Sequence, residues 1–307
     1  RTGEKNERLL SVDIERGVSV IDRFPEYVSG AEYARINNEA RVNSGLAIKY
    51  SSAQIDAYRK NDGYDLQYPN ANYRDMILKN TMPITRVGLS SSGGNDVVQY
   101  YSYIGYAGEG DIIKIGPDAD YNRINARQNV KVKVNNQISV LFGFYGNLSY
   151  RRNPNYGYDS DYTTEGTGNA TLTLTEVPSI ITATNALPPI AFPIYAQEDT
   201  VAGDHWYGVS STYTENPIGN VLANGYYTDR GRTGASNISL NWDLGGVVKG
   251  LTSSTYLGFD IHNLVRVGKA NNYLAYTVAV NPTTGVVTRP KSSSHNLFKM
   301  ADLYKLM

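Results

Sequence analysis

Residues able to do covalent chemistry are sparse in this 307-residue chain. Cysteine is absent, which removes thiolate nucleophiles, thiolate metal sites and disulfides together. His205, His262 and His295 are scattered and share no ligand spacing, so they predict neither a metal centre nor a catalytic base. Gly88-Leu89-Ser90-Ser91-Ser92-Gly93 lacks the spacing of a nucleophile elbow. Gly105 to Gly110 carries three glycines but no phosphate-loop lysine. Asp118-Ala119-Asp120-Tyr121-Asn122 opens like a calcium loop. It then lacks the glycine and the glutamate that such a loop needs, and reads as a hydrated hairpin end. Asp159, Asp161 and Glu165 form a calcium candidate in a polar stretch, set against hydrated loop acids. A carboxylate pair for glycoside hydrolysis needs a geometry that sequence does not carry. The expectation is a protein that is not an enzyme and needs no cofactor.

Non-covalent recognition is better represented. Tyrosine is the compositional outlier, with 26 Tyr against 6 Phe and 2 Trp. Its polar tip on an apolar body suits bilayer interfaces and stacking surfaces alike. Tyr156, Tyr158, Tyr162, Trp206, Tyr207, Tyr213, Tyr226 and Tyr227 fall between barrel-like strands. They are the ligand-binding candidates, against the alternative that they pack within the loops or form an interface girdle. Lys plus Arg equals Asp plus Glu at 29 each, so no net basic field points to nucleic acid.

Those residues must be positioned by strands. Residues 138–150 read ISVLFGFYGNLSY, with Ile138, Val140, Phe142, Phe144, Gly146, Leu148 and Tyr150 on one face. Period two makes this a strand with one greasy and one wetter face. Membrane-spanning strands need about 9–11 residues, more than most globular strands, and this one is long enough. No run approaches the ~18 apolar residues of a membrane helix, so a membrane role would come from a barrel. Phe142 and Phe144 are then lipid-facing, and Asn125, Arg127, Asn147, Asn241 and Asp243 face a wet interior.

Alternation also predicts strands over 8–20, 86–92, 97–107, 121–134, 138–152, 236–244 and 251–262. A hairpin is predicted over 273–289, and a strand pair inside 170–177. The tail ADLYKLM shows no sign of closing a barrel. Gly93-Gly94-Asn95-Asp96 and Asn135-Asn136 are tight turns, and they alternate with longer loops. Capping patterns at Ser29 and Ser51 predict helices over 30–44 and from Ser52 to a stop at Gly63. A third short helix follows Asn72 through Leu78. The organisation expected is 1–28 first barrel strand, 29–83 helical insertion and 84–152 barrel hairpins. Residues 153–232 form a long loop region, and 233–307 carry further barrel strands and a loop. Arg1 is not a start residue, and the chain reads as a mature piece or a fragment.

SSSGGNDVVQYYSYIGYAGEGDI (90–112), YNRINAR (121–127) and FGFYGNLSY (142–150) resemble the early barrel strands of SusC/RagA-type TonB-dependent transporters. SGAEYARINNEARVNSG (29–45) and NANYRDMILKN (70–80) resemble the segment those proteins carry just before these strands. GLTSSTYLGFDIHN (250–263) resembles a later strand. The similarity covers most of the chain, keeps its order and is specific as a set.

The resemblance implies a mainly β fold: an antiparallel up-and-down transmembrane β-barrel segment, incomplete, with short N-terminal helices. Roughly nine barrel strands are expected where the family has 22, and its internal plug is absent from this sequence. It implies an outer-membrane location and contact with outer-membrane lipid. It further implies a SusD-like surface lipoprotein as lid, TonB acting through the missing plug, and oligosaccharide or peptide as cargo. Two other classes stay open. One is a secreted β-rich carbohydrate-binding or adhesin module, which would have two-sheet packing and shorter strands. The other is a glycan-processing β enzyme.

Overall fold

A computed structural model describes residues 3–4, 7–155, 176–198, 205–271, 273–281, 283–290 and 301–306. One antiparallel sheet dominates. Its strands are β1 (Arg8–Val20), β2 (Thr81–Gly94), β3 (Val98–Gly110), β4 (Asp120–Lys133) and β5 (Ile138–Pro154). Two short strands, β6 (Tyr195–Glu198) and β7 (His205–Val209), lie outside it. The sheet continues with β8 (Gly225–Asp243) and β9 (Thr252–Ala270). After three more short strands, β10 (Ala275–Thr277), β11 (Ala279–Val280) and β12 (Val287–Thr288), it ends with β13 (Ala301–Leu306). Spatial order is β1-β2-β3-β4-β5-β8-β9-β13, so each strand pairs with the next and the sheet does not close.

Register separates two faces. Val12, Leu89, Ile104, Ala126, Gly146, Gly234 and Ile261 form one unbroken cross-strand row. Gly93, Tyr100, Val130, Phe142, Ile238 and Leu257 form another on the same face. One residue along, the opposite face carries Asp13, Gly88, Gly105, Asn125, Asn147, Thr233 and His262. Among the described residues nothing covers the apolar face: Val12 is 60% exposed, Ile238 46% and Leu257 70%. A sheet of a globular domain would bury such a face. Polar residues on this face include Ser91, Ser236 and the pair Ser102 and Gln128, which satisfy one another at 2.5 Å.

Tight turns end the hairpins at one rim. Asn95 Oδ1 accepts from the backbone N–H of Val97 and Val98, and Asn135 Oδ1 does the same for Gln137 and Ile138. These side-chain turns mimic a backbone turn and fix the hairpin register. At the other rim the connections are long and fold together into a subdomain, the crown.

The crown contains α1 (Gly30–Asn43), α2 (Ser52–Lys60), α3 (Tyr73–Ile77), α4 (Glu176–Ala186) and α5 (Pro217–Ala223). It also holds a small sheet of order β10-β7-β6. Ser29 caps α1, and Ser51 with Gln54 forms a capping box on α2. Most buried apolar side chains of the described chain belong here: Ile77, Ile180, Ile194, Tyr207, Val209 and Val221 share one core. Asn216 is fully buried at its centre. Its amide donates to the carbonyls of Ile194 (3.0 Å) and Gly208 (2.8 Å), and its Oδ1 accepts from the N–H groups of Ile218 and Gly219 at the start of α5. Lys79 N–H to Ile112 O and Lys114 N–H to Ile77 O, each 2.7 Å, tie the β3–β4 connection to α3.

Several expectations are corrected. Among the described residues eight strands form the main sheet, against the roughly nine expected. The hairpin predicted over 273–289 is not part of it: β10 runs parallel to β7, and only β11 and β12 pair with one another. Within 153–232, β8 begins at Gly225 and α5 and β7 are ordered elements rather than loop. The predicted strand pair lies outside the described residues up to Thr175, and from Glu176 the chain is helical. The helix from Ser52 stops at Asn61, and Gly63 instead packs tightly on Ala71 and Ile194. The tail is a strand on β9.

Candidate functional site: the polar wall and its aromatic crown

The polar face is built by alternation from the same strands that carry the apolar one. On β4, Arg123, Arg127, Lys131 and Lys133 all point to the polar face, and all four are exposed. Arg127 lies between Tyr103 of β3 and Tyr145 of β5 in direct register. Asn125, Asn147 and Asn241 occupy this face as expected, and Asp243 closes the β8 turn by accepting from Gly245 N–H at 2.8 Å. A cleft of about 530 Å³ opens at the short-turn rim, lined by Gln99, Lys131, Lys133, Asn241 and Asp243 among others.

Toward the crown the wall becomes a fixed polar network. Arg266 grips Asp229 through two N–H donors at 2.6 and 2.8 Å, with both side chains only 14% exposed. The same guanidinium lies 4.2 Å from the ring centroid of Tyr227. The Tyr227 hydroxyl donates to Asn153, whose amide N–H donates to Asp111 at 3.2 Å. A bidentate pair backed by an aromatic face is a rigid arrangement.

The crown holds a second concavity, about 320 Å³, walled by Tyr27, Tyr33, Tyr213, Pro188 and Pro189. The Tyr27 hydroxyl donates to Asn185. Partial burial raises the pKa of both Tyr27 and Tyr33. Arg74 opposes this at Tyr27, and neighbouring Tyr213 adds to it at Tyr33. Both phenols therefore stay neutral donors at ordinary pH. Arg74 stacks on Phe24 at 4.6 Å, and its Nε–H is buried without a partner in the structure. Flat aromatic walls with neutral hydroxyls and amides suit a polar, ring- or chain-shaped ligand.

The aromatic candidates divide. Tyr213 lines the crown concavity. Trp206 stacks on Tyr276 at 4.5 Å. Tyr207 is 4% exposed, edge-on to Tyr273 in the crown core, and Tyr227 is equally buried in the network above. Tyr226 stands on β8 beneath Arg152. Tyr156, Tyr158, Tyr162, Asp159, Asp161, Glu165 and His295 lie outside the described residues. His205 stacks on Tyr195 at 4.1 Å, and His262 shares a 3.0 Å hydrogen bond with Thr233. Among the described residues no group of three His, Asp or Glu gathers to hold a metal ion. Sequence reasoning missed Tyr27, Tyr33 and, apart from Arg127, the β4 cations. The tyrosines sit in an insertion remote from Tyr213 in sequence. The cations were legible as a period-two run, Arg123, Arg127, Lys131, Lys133, inside a neutral total.

No family model matches the chain. A curated relative, "TonB-dependent receptor P26" of Formosa agariphila, is 26% identical over 221 residues, covering 70% of this chain and 18% of the relative. Among solved structures, the RagAB peptide importer in its "open-open" state matches with a TM-score of 0.57 at 16% identity. Its "closed-closed" state matches at 0.56 and 17%. Each alignment covers 89% of this chain and 30% of the importer chain. At this identity the solved structures establish a shared fold, a run of consecutively paired antiparallel strands.

Proposed function

We propose that the chain is part of a SusC/RagA-type TonB-dependent transporter and that its parent protein imports a nutrient across the outer membrane. The apolar face meets lipid and the polar face lines the transport path. One observation carries this reading: a long-stranded sheet whose apolar face stays exposed while its own polar face is charged and tyrosine-rich. Only a wall between hydrocarbon and water makes both faces favourable. A secreted sandwich would bury the apolar face against a second sheet.

In this reading a SusD-like surface lipoprotein closes over the crown and traps an oligosaccharide or peptide against the mouth. TonB acts through a plug outside this chain and opens the path. Binding, exclusion of solvent and release suffice, with no covalent step. The test is made in the host. Deleting the parent gene abolishes growth on at least one oligosaccharide or peptide mixture, and loss of TonB reproduces the defect. Unchanged growth on every such source, with the protein absent from outer-membrane fractions, refutes the proposal.

A further inference from the structure

Resting on the importer reading, we infer that the cargo is an anionic oligosaccharide, steered along β4 by its row of cations. Arg123, Arg127, Lys131 and Lys133 recur on one face of one strand over ten residues, about 34 Å of wall at strand rise. None of the four pairs with an acid among the described residues. Other charges on that face are occupied or remote. Glu15 and Glu109 flank Arg86 at 3.4 and 4.0 Å, and Asp229 is held by Arg266 at 2.6 Å. Asp13 and Asp260 stand three strands away on β1 and β9. Three strand spacings are about 14 Å, beyond a Debye length of about 8 Å in physiological salt. The exceptions are Glu109, diagonal to Arg123, and Asp96 and Asp243 in the cleft beside Lys133. Arg127 and Lys131 therefore form the middle of a positive track, in a wall whose low dielectric focuses the field on the aqueous side.

The surroundings favour sugar over peptide. Arg127 is bracketed by Tyr103 and Tyr145, and Tyr145 is 38% exposed. Asn125, Asn129, Asn147, Asn237 and Asn241 add amides on the same face. Tyrosine faces stack on pyranose rings, amides exchange hydrogen bonds with hydroxyls, and a guanidinium between them binds a carboxylate or sulfate. On the polar face of β3, β4, β5 and β8, Leu141 is the one aliphatic side chain larger than alanine. A peptide would find few pockets there for its apolar side chains.

The experiment uses the full-length transporter in detergent micelles, titrated with a galacturonate hexamer, a sulfated galactan hexamer, neutral maltohexaose and hexaglutamate. At least one anionic sugar should bind roughly tenfold tighter than maltohexaose, with the margin shrinking as salt rises. Arg127→Gln with Lys131→Gln should bring anionic-sugar binding down to the maltohexaose level and so remove the margin, and Arg127→Lys should keep part of it. The wild-type preference decides even where the double variant fails to assemble. No preference for either anionic sugar overturns the inference, as does hexaglutamate binding equally well, which would make the track a site for acidic peptide. A double variant that assembles and keeps the full margin overturns it too, because the cations would then serve another contact such as the plug. Maltohexaose uptake without anionic uptake sinks the inference alone. Absence of any TonB-dependent uptake sinks the importer reading with it.

Discussion

Ile238 and Ser239 are neighbours on β8, and the two-faced wall assigns them opposite solvents. Ile238 stands in the apolar row between Phe142 and Leu257, 46% exposed. Ser239 stands on the polar face between Leu141 and Tyr256. The apolar stripe of β5 runs from Ile138 to Leu148, ten residues or about 34 Å of strand. A tilt of about 40° projects that onto about 26 Å, which matches the ~25 Å apolar band of outer-membrane barrels. Ile238 faces Phe142, four residues from the start of the stripe and so about 10 Å deep, close to the midplane. Arginine there costs about 2–4 kcal/mol, and 3 kcal/mol is roughly a hundredfold in the folded-to-unfolded ratio. Ser239→Arg should stay within about 0.5 kcal/mol, because its side chain reaches water. The assay is reversible guanidinium unfolding of the full-length protein in lipid vesicles, followed by tryptophan fluorescence. Equal costs for the two variants would remove the lipid assignment, and a larger cost for Ser239→Arg would invert the faces.

Asn216→Ala should loosen the crown by about 3 kcal/mol, since it strands buried carbonyls of Ile194 and Gly208 and uncaps α5. Limited proteolysis should then cut within the crown while the strand region stays protected, and an unchanged digest would show the hub to be dispensable. Asp229→Ala removes the bidentate acceptor of the largely buried Arg266, at a cost of about 3 kcal/mol. Asp229→Leu with Arg266→Met should recover most of that loss in the same unfolding assay. A double variant as unstable as the single would place the cost in packing instead. Burial, reinforced by Tyr50 and Tyr68, pushes the Tyr58 phenol from its ordinary 10.0 to about 12. A raised folded-state pKa contributes stability that is complete below pH 10 and is lost as pH rises through about 12. Ultraviolet titration of wild type against Tyr58→Phe should show one late ionisation missing, and its appearance near pH 10 would contradict the packing around α2.

The legible parts were those where one short window carries the whole physical signal. Residues 138–150 alternate between apolar and polar or small side chains, so the strand and its apolar side could be read directly. Ser29, Ser51 with Gln54, and Asn72 announced their helices because a cap is a local hydrogen bond. The strand ends were not legible. Residues 225–235, YYTDRGRTGA in their core stretch from Tyr226, show no clean alternation, yet they stay paired with both β5 and β9. Where neither face is continuously apolar, backbone pairing continues without a hydrophobic signature. The crown was legible least, because its contacts are distant in sequence. Tyr73 bonds the carbonyl of Phe192 across 119 residues, and Asn216 meets Tyr273 across 57. Tyr207 and Tyr213 read alike as loop aromatics, and only that long-range packing buries one and leaves the other at a concavity.

The uneven strand lengths connect the crown to the wall. β8 and β9 run 19 residues each, about 50 Å when projected along a 40° tilt, roughly twice the apolar band. Their apolar stripes, Ile238 to Trp242 and Leu257 to Ile261, sit toward the short-turn rim, so the surplus length stands on the crown side. Asp229, Arg266 and Tyr227 lie in that surplus, on the polar face just below the crown. The crown core is thus carried on hydrogen-bonded strand rather than on loops, and its aromatic concavity holds a fixed height above the wall. A ligand arriving from the crown side meets neutral tyrosines first and the exposed cations of β4 afterwards. On the proposed import route, that order would let stacking retain a ligand before charge drew it along the wall, with the recognition step where the proposed lid closes.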